Sequence, residues 1–315
     1  MARPSYPKTL LEFVARFNTD EACLEYLISH RWPDGFICPK CRNEKGWWLP
    51  SQKRFECTDC HKQTSPLAGS IMHRSHLPIH LWFWSAYLVA THTPGISATQ
   101  LQRQLGIKSD ETSWFLLHRL RRAMVAPNRE SLSGIVEADE THIGGPAKNK
   151  KGRGVAKAEN KTLIAGAVEV LTYKTKSGVE KERAGRLRLE VLLSADQKNI
   201  KQFLNQNVAL KSTIKTDGWL GYSNEALKGY VHDRTVQVQH GSSNKYAPHI
   251  HQAFGNLKAW LLGTHHGVDP KYVQSYLDEF VFRFNRRAHP MAAFSTLLGI
   301  VSHKEPLTLR NLIQP

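Results

Sequence analysis

The chain of 315 residues carries 43 Lys and Arg against 27 Asp and Glu, which gives a formal net charge of +16 at pH 7. No apolar run reaches the roughly 20 residues of a membrane-spanning helix, and the N-terminus lacks the apolar segment of a secretory signal. These features exclude an integral membrane protein and predict a cytoplasmic protein. The large positive charge favours a polyanionic partner, nucleic acid first.

Four of the five cysteines form two CxxC pairs, CPKC and CTDC, with 15 residues between the pairs. Each pair is a tight turn that presents two thiolates to one ion, and four thiolates fill a tetrahedral coordination sphere. After an N-terminal helical segment over residues 1–30, the spacing therefore predicts a zinc ribbon over 31–70 that holds a structural Zn²⁺. Its ligands are Cys38, Cys41, Cys57 and Cys60.

Residues 77–127 have the pattern of a helical region that binds DNA. Ser97 is placed to begin a short helix, Gly106 to make a turn, and Ser109 or Asp110 to begin a second helix. A helix, a short turn with glycine and a basic helix are typical of a helix-turn-helix motif, although a helical hairpin that only packs has the same pattern. The predicted DNA-binding residues of the second helix are Arg119, Arg121 and Arg122.

Beyond Pro127 the pattern changes to strands, a helix and another strand, which predicts a mixed α/β domain over residues 131–290 and a C-terminal tail over 291–315. The loop 146–162 is basic and poor in apolar residues. It is interpreted as an arm that orders on a polyanion, with a merely solvated loop as the alternative. Its candidate DNA-binding residues are Lys148, Lys150, Lys151 and Arg153.

Two aspartates end predicted strands in this domain, Asp139 in EADETHIGG and Asp217 in TDGW. Carboxylates at the ends of adjacent strands can converge on Mg²⁺, which prefers oxygen ligands. Two such ions a few Å apart activate an attacking oxygen and stabilise a leaving oxygen at phosphorus. An aspartate alone at a strand end is also a common turn cap, so each position taken singly leaves both roles open.

The ordered motifs EADETHIGG, TDGWLGY, NLKAWLLGTHHGV and YLDEFVFRFNRR closely resemble those of DDE-type insertion-sequence transposases. The matching branch, the ISXO2-like type, has an N-terminal zinc ribbon and a catalytic domain with an RNase-H-like fold. The resemblance extends from the zinc ribbon to about Arg287. It implies an α+β multidomain protein in which Asp139 and Asp217 bind two Mg²⁺ ions, with Mn²⁺ as a substitute.

The third member of the catalytic set departs from the family pattern, which places Glu seven residues before a helical Lys. Here Lys258 is present, and His251 stands seven residues before it. Seven residues at 100° each bring both side chains to one helix face. The resemblance therefore implies an Asp-Asp-His-Lys site, with Lys258 beside a phosphate. Asn256 is a rival third residue, and Asp278 or Glu279 could supply a carboxylate.

The resemblance implies a transposase that binds terminal inverted repeats, hydrolyses a phosphodiester and uses the freed 3′-OH to attack target DNA. Work at two DNA ends implies a homo-oligomer in the DNA complex. Two other functions stay open. A DNA-binding regulator or inactive copy would bind without cutting, and a general nuclease with the same fold would cut without preferring transposon ends.

Overall fold

The computed structural model describes residues 5–126, 129–144, 161–216, 222–223, 225–234, 247–301 and 305–313. The chain forms two compact units. The first contains residues 1–126 together with 286–315, and the second contains residues 127–285. No helix of the described residues is long and apolar enough to cross a membrane.

The N-terminal unit opens with α1 (Leu10–Arg16) and α2 (Asp20–Arg31), and each helix is capped by the threonine that precedes it. A small antiparallel sheet follows, in the order β1-β2-β3. Its strands are β1 (Gly46–Leu49), β2 (Arg54–Cys57) and β3 (Gln63–Thr64). The ring of Phe55, on β2, stacks on that of Phe36 with 4.8 Å between centroids. The predicted zinc ribbon is confirmed.

Three helices complete the first run of this unit: α3 (Ile79–Thr91), α4 (Ala98–Leu105) and α5 (Asp110–Ala123). Ser97 accepts a hydrogen bond from the Gln100 N–H and Ser109 accepts one from the Thr112 N–H, so both serines are N-caps. Gly106 ends α4 with φ of 64°, a left-handed conformation that favours glycine. The helical hairpin predicted between Ser97 and Arg122 therefore forms.

The C-terminal residues do not form a detached tail. After the second unit the chain returns as α9 (Pro290–Val301), which packs against α3 in the N-terminal unit, and α10 (Leu309–Ile313) follows. Phe294 is fully buried and its ring contacts those of Phe13 and Phe17. The expectation of a tail over 291–315 is corrected here, because α9 supplies part of this core.

The second unit is a five-stranded mixed sheet with helices on both faces. Its strand order is β6-β5-β4-β7-β8. The first three strands in sequence pair antiparallel, whereas β7 and β8 run parallel to β4. The strands are β4 (Ile135–Ile143), β5 (Thr162–Lys174), β6 (Glu180–Leu192), β7 (Thr213–Thr216) and β8 (Val231–Arg234). This confirms the predicted mixed α/β domain.

Alternation along the strands separates two cores. One face, with Val136 and Ala138, packs on α6 (Gln197–Asn207). The other face, with Ile164 and Val168, packs on α7 (Pro248–Trp260) and α8 (Val273–Phe284). Since residues two apart share a face, odd-numbered residues of β4 point toward α7.

One expectation about β4 needs correction, because Asp139 does not end its strand. β4 continues to Ile143 and pairs with β5 along its whole length, with Asp139 opposite Gly166. The long pairing with β5 keeps this backbone extended past the position where β7 stops pairing with it. Asp139 therefore lies on the face of a continuous strand.

Gly166 allows close approach of α7 to the sheet. A Cβ atom placed there would lie 2.7 Å from ring carbons of Phe254 and 2.8 Å from Cδ1 of Ile250. Because both neighbours are buried in the core under α7, they have little room to move. The glycine thus sets the distance between the helix and the strand that carries Asp139.

We expect Gly166→Ala to lower the free energy of unfolding by about 1–3 kcal/mol, because the added methyl group overpacks this contact. Gly255→Ala, in the interior of α7, is the matched control, since a Cβ there meets nothing within 4 Å. We expect it to raise stability by roughly 0.5–1 kcal/mol. Urea unfolding measures both, and equal effects of the two substitutions would contradict the packing argument.

Candidate active site and metal centre

The four predicted zinc ligands converge in the N-terminal unit. Their sulfur atoms all lie within 4.8 Å of one another, with 3.6 Å from Cys38 to Cys60 and 3.5 Å from Cys41 to Cys57. Tetrahedral Zn–S bonds of about 2.3 Å place sulfurs roughly 3.8 Å apart, whereas a disulfide needs about 2.05 Å. The four cysteines therefore fit a closed, structural zinc site.

The cysteine thiols differ in pKa. A hydrogen bond from the Cys41 backbone N–H holds the pKa of Cys38 well below its usual value, at about 6. Cys41 accepts a hydrogen bond from the Asn43 N–H, yet burial and the neighbouring thiols raise its pKa to about 12. Burial also raises the pKa of Cys23 to about 12. Cys23, a buried residue of α2, therefore stays a neutral thiol and lies outside the cluster of ligands.

Metal analysis of the purified protein should find one zinc ion per chain. Cys57→Ser should remove most of it and destabilise the N-terminal unit, because three thiolates close the site poorly. Cys23→Ala, at the cysteine outside the cluster, should keep the full zinc content. Inductively coupled plasma mass spectrometry reads out both variants, and zinc retained in full by Cys57→Ser would contradict the assignment.

In the second unit, Asp139 and His251 meet at the face of the sheet. Asp139 Oδ2 and His251 Nε2 are 2.9 Å apart, and the two side chains are only 15% and 21% exposed. A second oxygen of the aspartate, Oδ1, accepts a hydrogen bond from the backbone N–H of Glu140 at 2.8 Å. That bond fixes the carboxylate plane, so Oδ2 is directed at the imidazole.

The separation of these two atoms fits joint coordination of one divalent ion. Ligands at about 2.1 Å in neighbouring octahedral positions lie roughly 3.0 Å apart. Asp139 Oδ2 and His251 Nε2 match that spacing without movement. Among the described residues, however, the only cluster of three or more potential ligands is that of the cysteines, so this pair needs a further ligand.

Glu137 anchors the helix that carries His251. Its carboxylate is 1% exposed and accepts hydrogen bonds from the backbone N–H groups of His249, at 2.8 Å, and Ile250, at 2.9 Å. The first turn of a helix leaves such N–H groups without partners, and Pro248 occupies the position that needs none. Glu137 thus serves as the N-terminal cap of α7 across the interior of the unit.

His249 completes that anchor and separates the roles of the two histidines. Its Nδ1 lies 2.8 Å from Glu137 Oε1, while His251 contacts Asp139. Glu137 and Asp139 are two residues apart on β4 and share a face, and the two histidines of α7 contact that face. The sequence pattern identified His251 but missed the role of Glu137.

Asp217 lies outside the described residues. The last described residue of β7 is Thr216, and the parallel register pairs Glu137 with Lys215. Asp139 and Asp217 each follow one member of that pair by two positions in sequence. Tyr222 is described and buried in the core under α6, where its hydroxyl donates to a carboxylate oxygen of Glu140.

The remaining candidates differ in exposure. Lys258 and Asn256 are both exposed on α7, and Lys258 lies two turns beyond His251 on the same helix. Glu279 is fully buried on α8, with Oε1 at 3.6 Å from Arg283 Nη1. The carboxylate of Asp278 accepts a hydrogen bond from Gln274. Among the described candidates for the third residue, His251 is therefore the one in contact with Asp139.

The predicted DNA-binding arginines need correction. Arg119 is 7% exposed and donates to the backbone carbonyl oxygen of His73 at 2.8 Å, and Arg121 is 1% exposed. Buried guanidinium groups do not present themselves to a phosphate on the surface, so of these three only Arg122 is exposed. The loop candidates lie outside the described residues; they are Lys148, Lys150, Lys151 and Arg153.

Replacing Glu137 tests the cap. We expect Glu137→Ala to lower the free energy of unfolding by about 2–4 kcal/mol, because buried donors of α7 lose their acceptor. Glu137→Gln keeps one carbonyl acceptor and should lose less. Glu182→Ala, at a half-exposed carboxylate of β6, is the control and should change stability by less than about 0.5 kcal/mol. Urea unfolding should rank the three variants in that order.

Two parts of the chain match known protein families. The model of the ISXO2-like transposase domain matches residues 131–285, and that of the transposase zinc-ribbon domain matches residues 18–63. The two matches together cover nearly two thirds of the chain. The first contains the sheet with Asp139 and His251, and the second contains all four clustered cysteines. No curated protein matches the sequence.

Proposed function

Because the chain belongs to the ISXO2-like transposase family, we propose that it moves a bacterial insertion sequence by cutting and joining DNA at the terminal inverted repeats. The contact of Asp139 with His251, at 2.9 Å, carries this proposal. It joins a residue of the expected metal site to the residue that replaces the expected Glu, in a geometry suited to one ion.

The proposed active site contains Asp139, Asp217 and His251 as metal ligands, with Lys258 beside a phosphate. The parallel pairing of β4 with β7 supports the inclusion of Asp217, since both aspartates follow the pair Glu137–Lys215 by two positions. The sheet order, with three antiparallel strands and two parallel ones, supports an RNase-H-like assignment.

Bound Mg²⁺ or Mn²⁺ would supply an activated water and stabilise charge on the leaving oxygen. The chain itself contributes position. Asp139 is held by the Glu140 N–H, and His251 by the capped start of α7, so both ligand atoms are fixed before DNA arrives. Lys258 is exposed and free to approach the DNA backbone as a point charge.

The net charge of +16 supports DNA as the partner. We propose that the zinc ribbon and the hairpin of α4 and α5 bind the transposon ends, with Arg122 and the basic loop 146–162 on the phosphate backbone. Cutting at two ends requires two active sites, which favours a homo-oligomer on DNA. A bacterial DNA substrate implies action in the cytoplasm.

A second function is favoured by one observation, the imidazole in place of the carboxylate at position 251. Neutral imidazole adds no negative charge and is a softer ligand than Mg²⁺ prefers. A protein of this kind that bound DNA without cutting would act as a regulator or be an inactive copy. Cleavage assays separate the two functions, because both predict binding to the ends and only one predicts products.

The metal preference should follow the residue at position 251. With DNA carrying the element's ends, we expect cleavage and strand transfer to be faster with Mn²⁺ than with Mg²⁺ in the wild type. His251→Glu should reverse or reduce that preference, whereas Asp139→Ala, Asp217→Ala and His251→Ala should lose about 10³-fold or more in rate. Gel assays of end cleavage and joining measure all of these.

Gln252→Ala is the matched control on α7, since that side chain is exposed one residue from His251. It should cleave at the wild-type rate. Full activity of His251→Ala together with loss in Asn256→Ala or Glu279→Ala would identify another third residue. Binding without cleavage by the wild type in either metal would support the regulator instead.

A further inference from the structure

A cavity of about 570 Å³ opens in the N-terminal unit at the turn between α4 and α5. One wall is the segment from Arg74 to Trp82, which leads into α3, and the other is the turn and α5 as far as Arg119. Its volume falls within the range of about 300–1,000 Å³ that is usual for small-molecule sites. Neither the zinc site nor the proposed active site uses these residues.

The charged residues that line the cavity are all basic. Among the described residues of its lining there is no Asp or Glu. Asp110, which begins α5, accepts a hydrogen bond from Thr99 of α4 and is not part of the wall. The basic lining residues are Arg74, His76, Lys108 and Arg119. A cavity with this lining attracts an anion.

Arg119 is the unusual member of this set. Its side chain is more than nine-tenths buried, and its Nε has no hydrogen-bond partner among the described residues. Its contacts are a hydrogen bond to the carbonyl oxygen of His73 and the rings of Trp82 and Phe115, at 5.1 Å and 5.4 Å from its central carbon. No described carboxylate forms an ion pair with it.

Burial without an opposite charge is costly for a guanidinium. That cost is visible in the pKa of Arg119, which burial lowers to about 10. An apolar residue at position 119 would avoid this cost of burying a charge. The aromatic neighbours of Arg119 already make its surroundings apolar. An anion that enters the cavity would supply the missing opposite charge.

The rest of the wall is apolar and partly aromatic. Phe115 and Leu81 are half-buried side chains that face the cavity, and Trp82 lies behind them. Such surfaces bind flat apolar groups, and aromatic side chains stack on nucleobases without regard to their identity. A nucleotide combines a planar apolar part with an anionic part, which matches this lining.

We propose that this cavity binds a single unpaired nucleotide, with its base against Phe115 and Leu81 and its phosphate near Arg74, Lys108 and Arg119. The nucleotide has two potential sources, an unstacked position of bound DNA or a free mononucleotide. The proposal goes beyond the transposase activity and does not depend on Asp139, His251 or a divalent metal, so it survives if cleavage is absent.

The experiment compares how tightly the full-length, zinc-loaded protein binds two DNA duplexes in the absence of Mg²⁺ and Mn²⁺. One duplex contains a single bulged 2-aminopurine nucleotide, and the other has the same sequence fully paired. Fluorescence anisotropy gives affinity, and 2-aminopurine emission reports transfer of the base into the cavity. We expect about 10-fold tighter binding of the bulged duplex. Isothermal titration with dAMP, adenosine and inorganic phosphate tests the free nucleotide.

Arg74→Ala and Arg119→Met should remove the preference for the bulged duplex. Arg103→Ala is the matched control, because Arg103 is an exposed arginine of α4 outside the cavity, and it should weaken both duplexes equally. Circular dichroism verifies folding of each variant. Should Arg119→Met not fold, Arg74→Ala still decides, since that side chain is exposed.

Binding of dAMP that exceeds binding of adenosine and phosphate supports the site with a free nucleotide as ligand. A bulge preference without dAMP binding supports it with DNA as the source. The proposal is overturned if phosphate binds as tightly as dAMP, which would indicate a plain anion site. It is equally overturned if neither probe binds, or if Arg74→Ala retains the full preference.

Discussion

The carboxylate of Glu137 fixes where α7 begins, and the candidate active site depends on that single constraint. Two backbone N–H groups and one imidazole of α7 contact this carboxylate, whose side chain is 1% exposed. A helix end bound so deeply cannot slide along β4 without leaving buried donors unsatisfied. His251 follows the anchored turn by one residue, and Asp139 follows Glu137 by two, so one carboxylate sets both sides of the contact.

Gly166 and the alternation of side chains along β4 also determine the geometry of the site. Alternation places Glu137 and Asp139 on one face of β4, and the missing Cβ of Gly166 lets Phe254 approach that face. If α7 lay farther from the sheet, its hydrogen bonds to Glu137 would have to lengthen. The spacing of Asp139 and His251 at 2.9 Å is therefore a product of the packing around it, not of the two residues alone.

Much of this was predictable from local patterns. The CxxC pairs, the serine caps around Gly106 and the strand pattern beyond Pro127 each depend on residues close in sequence, and all agree with the structure. Long-range pairings were not predictable. Glu137 lies 112 positions before His249, and α9 joins a core formed by residues before 127. The sequence around Glu137 does not indicate its contact with α7, and the sequence of α9 does not indicate its place in the N-terminal core. An acidic residue in a strand and an apolar helix are each compatible with many surroundings.

The arginines show why net charge overstates the surface available to DNA. Arg121 and Arg188 are each at most 5% exposed, and the guanidinium of Arg188 donates to backbone carbonyl oxygens of Glu130 and Leu187. Such groups count toward +16 in the sequence yet face the interior. A basic helix therefore cannot be assigned to DNA from its composition, because the same Arg spacing serves burial on one face and phosphate contact on the other. Exposure separates Arg122 from its neighbours, and only the packing of α5 determines exposure.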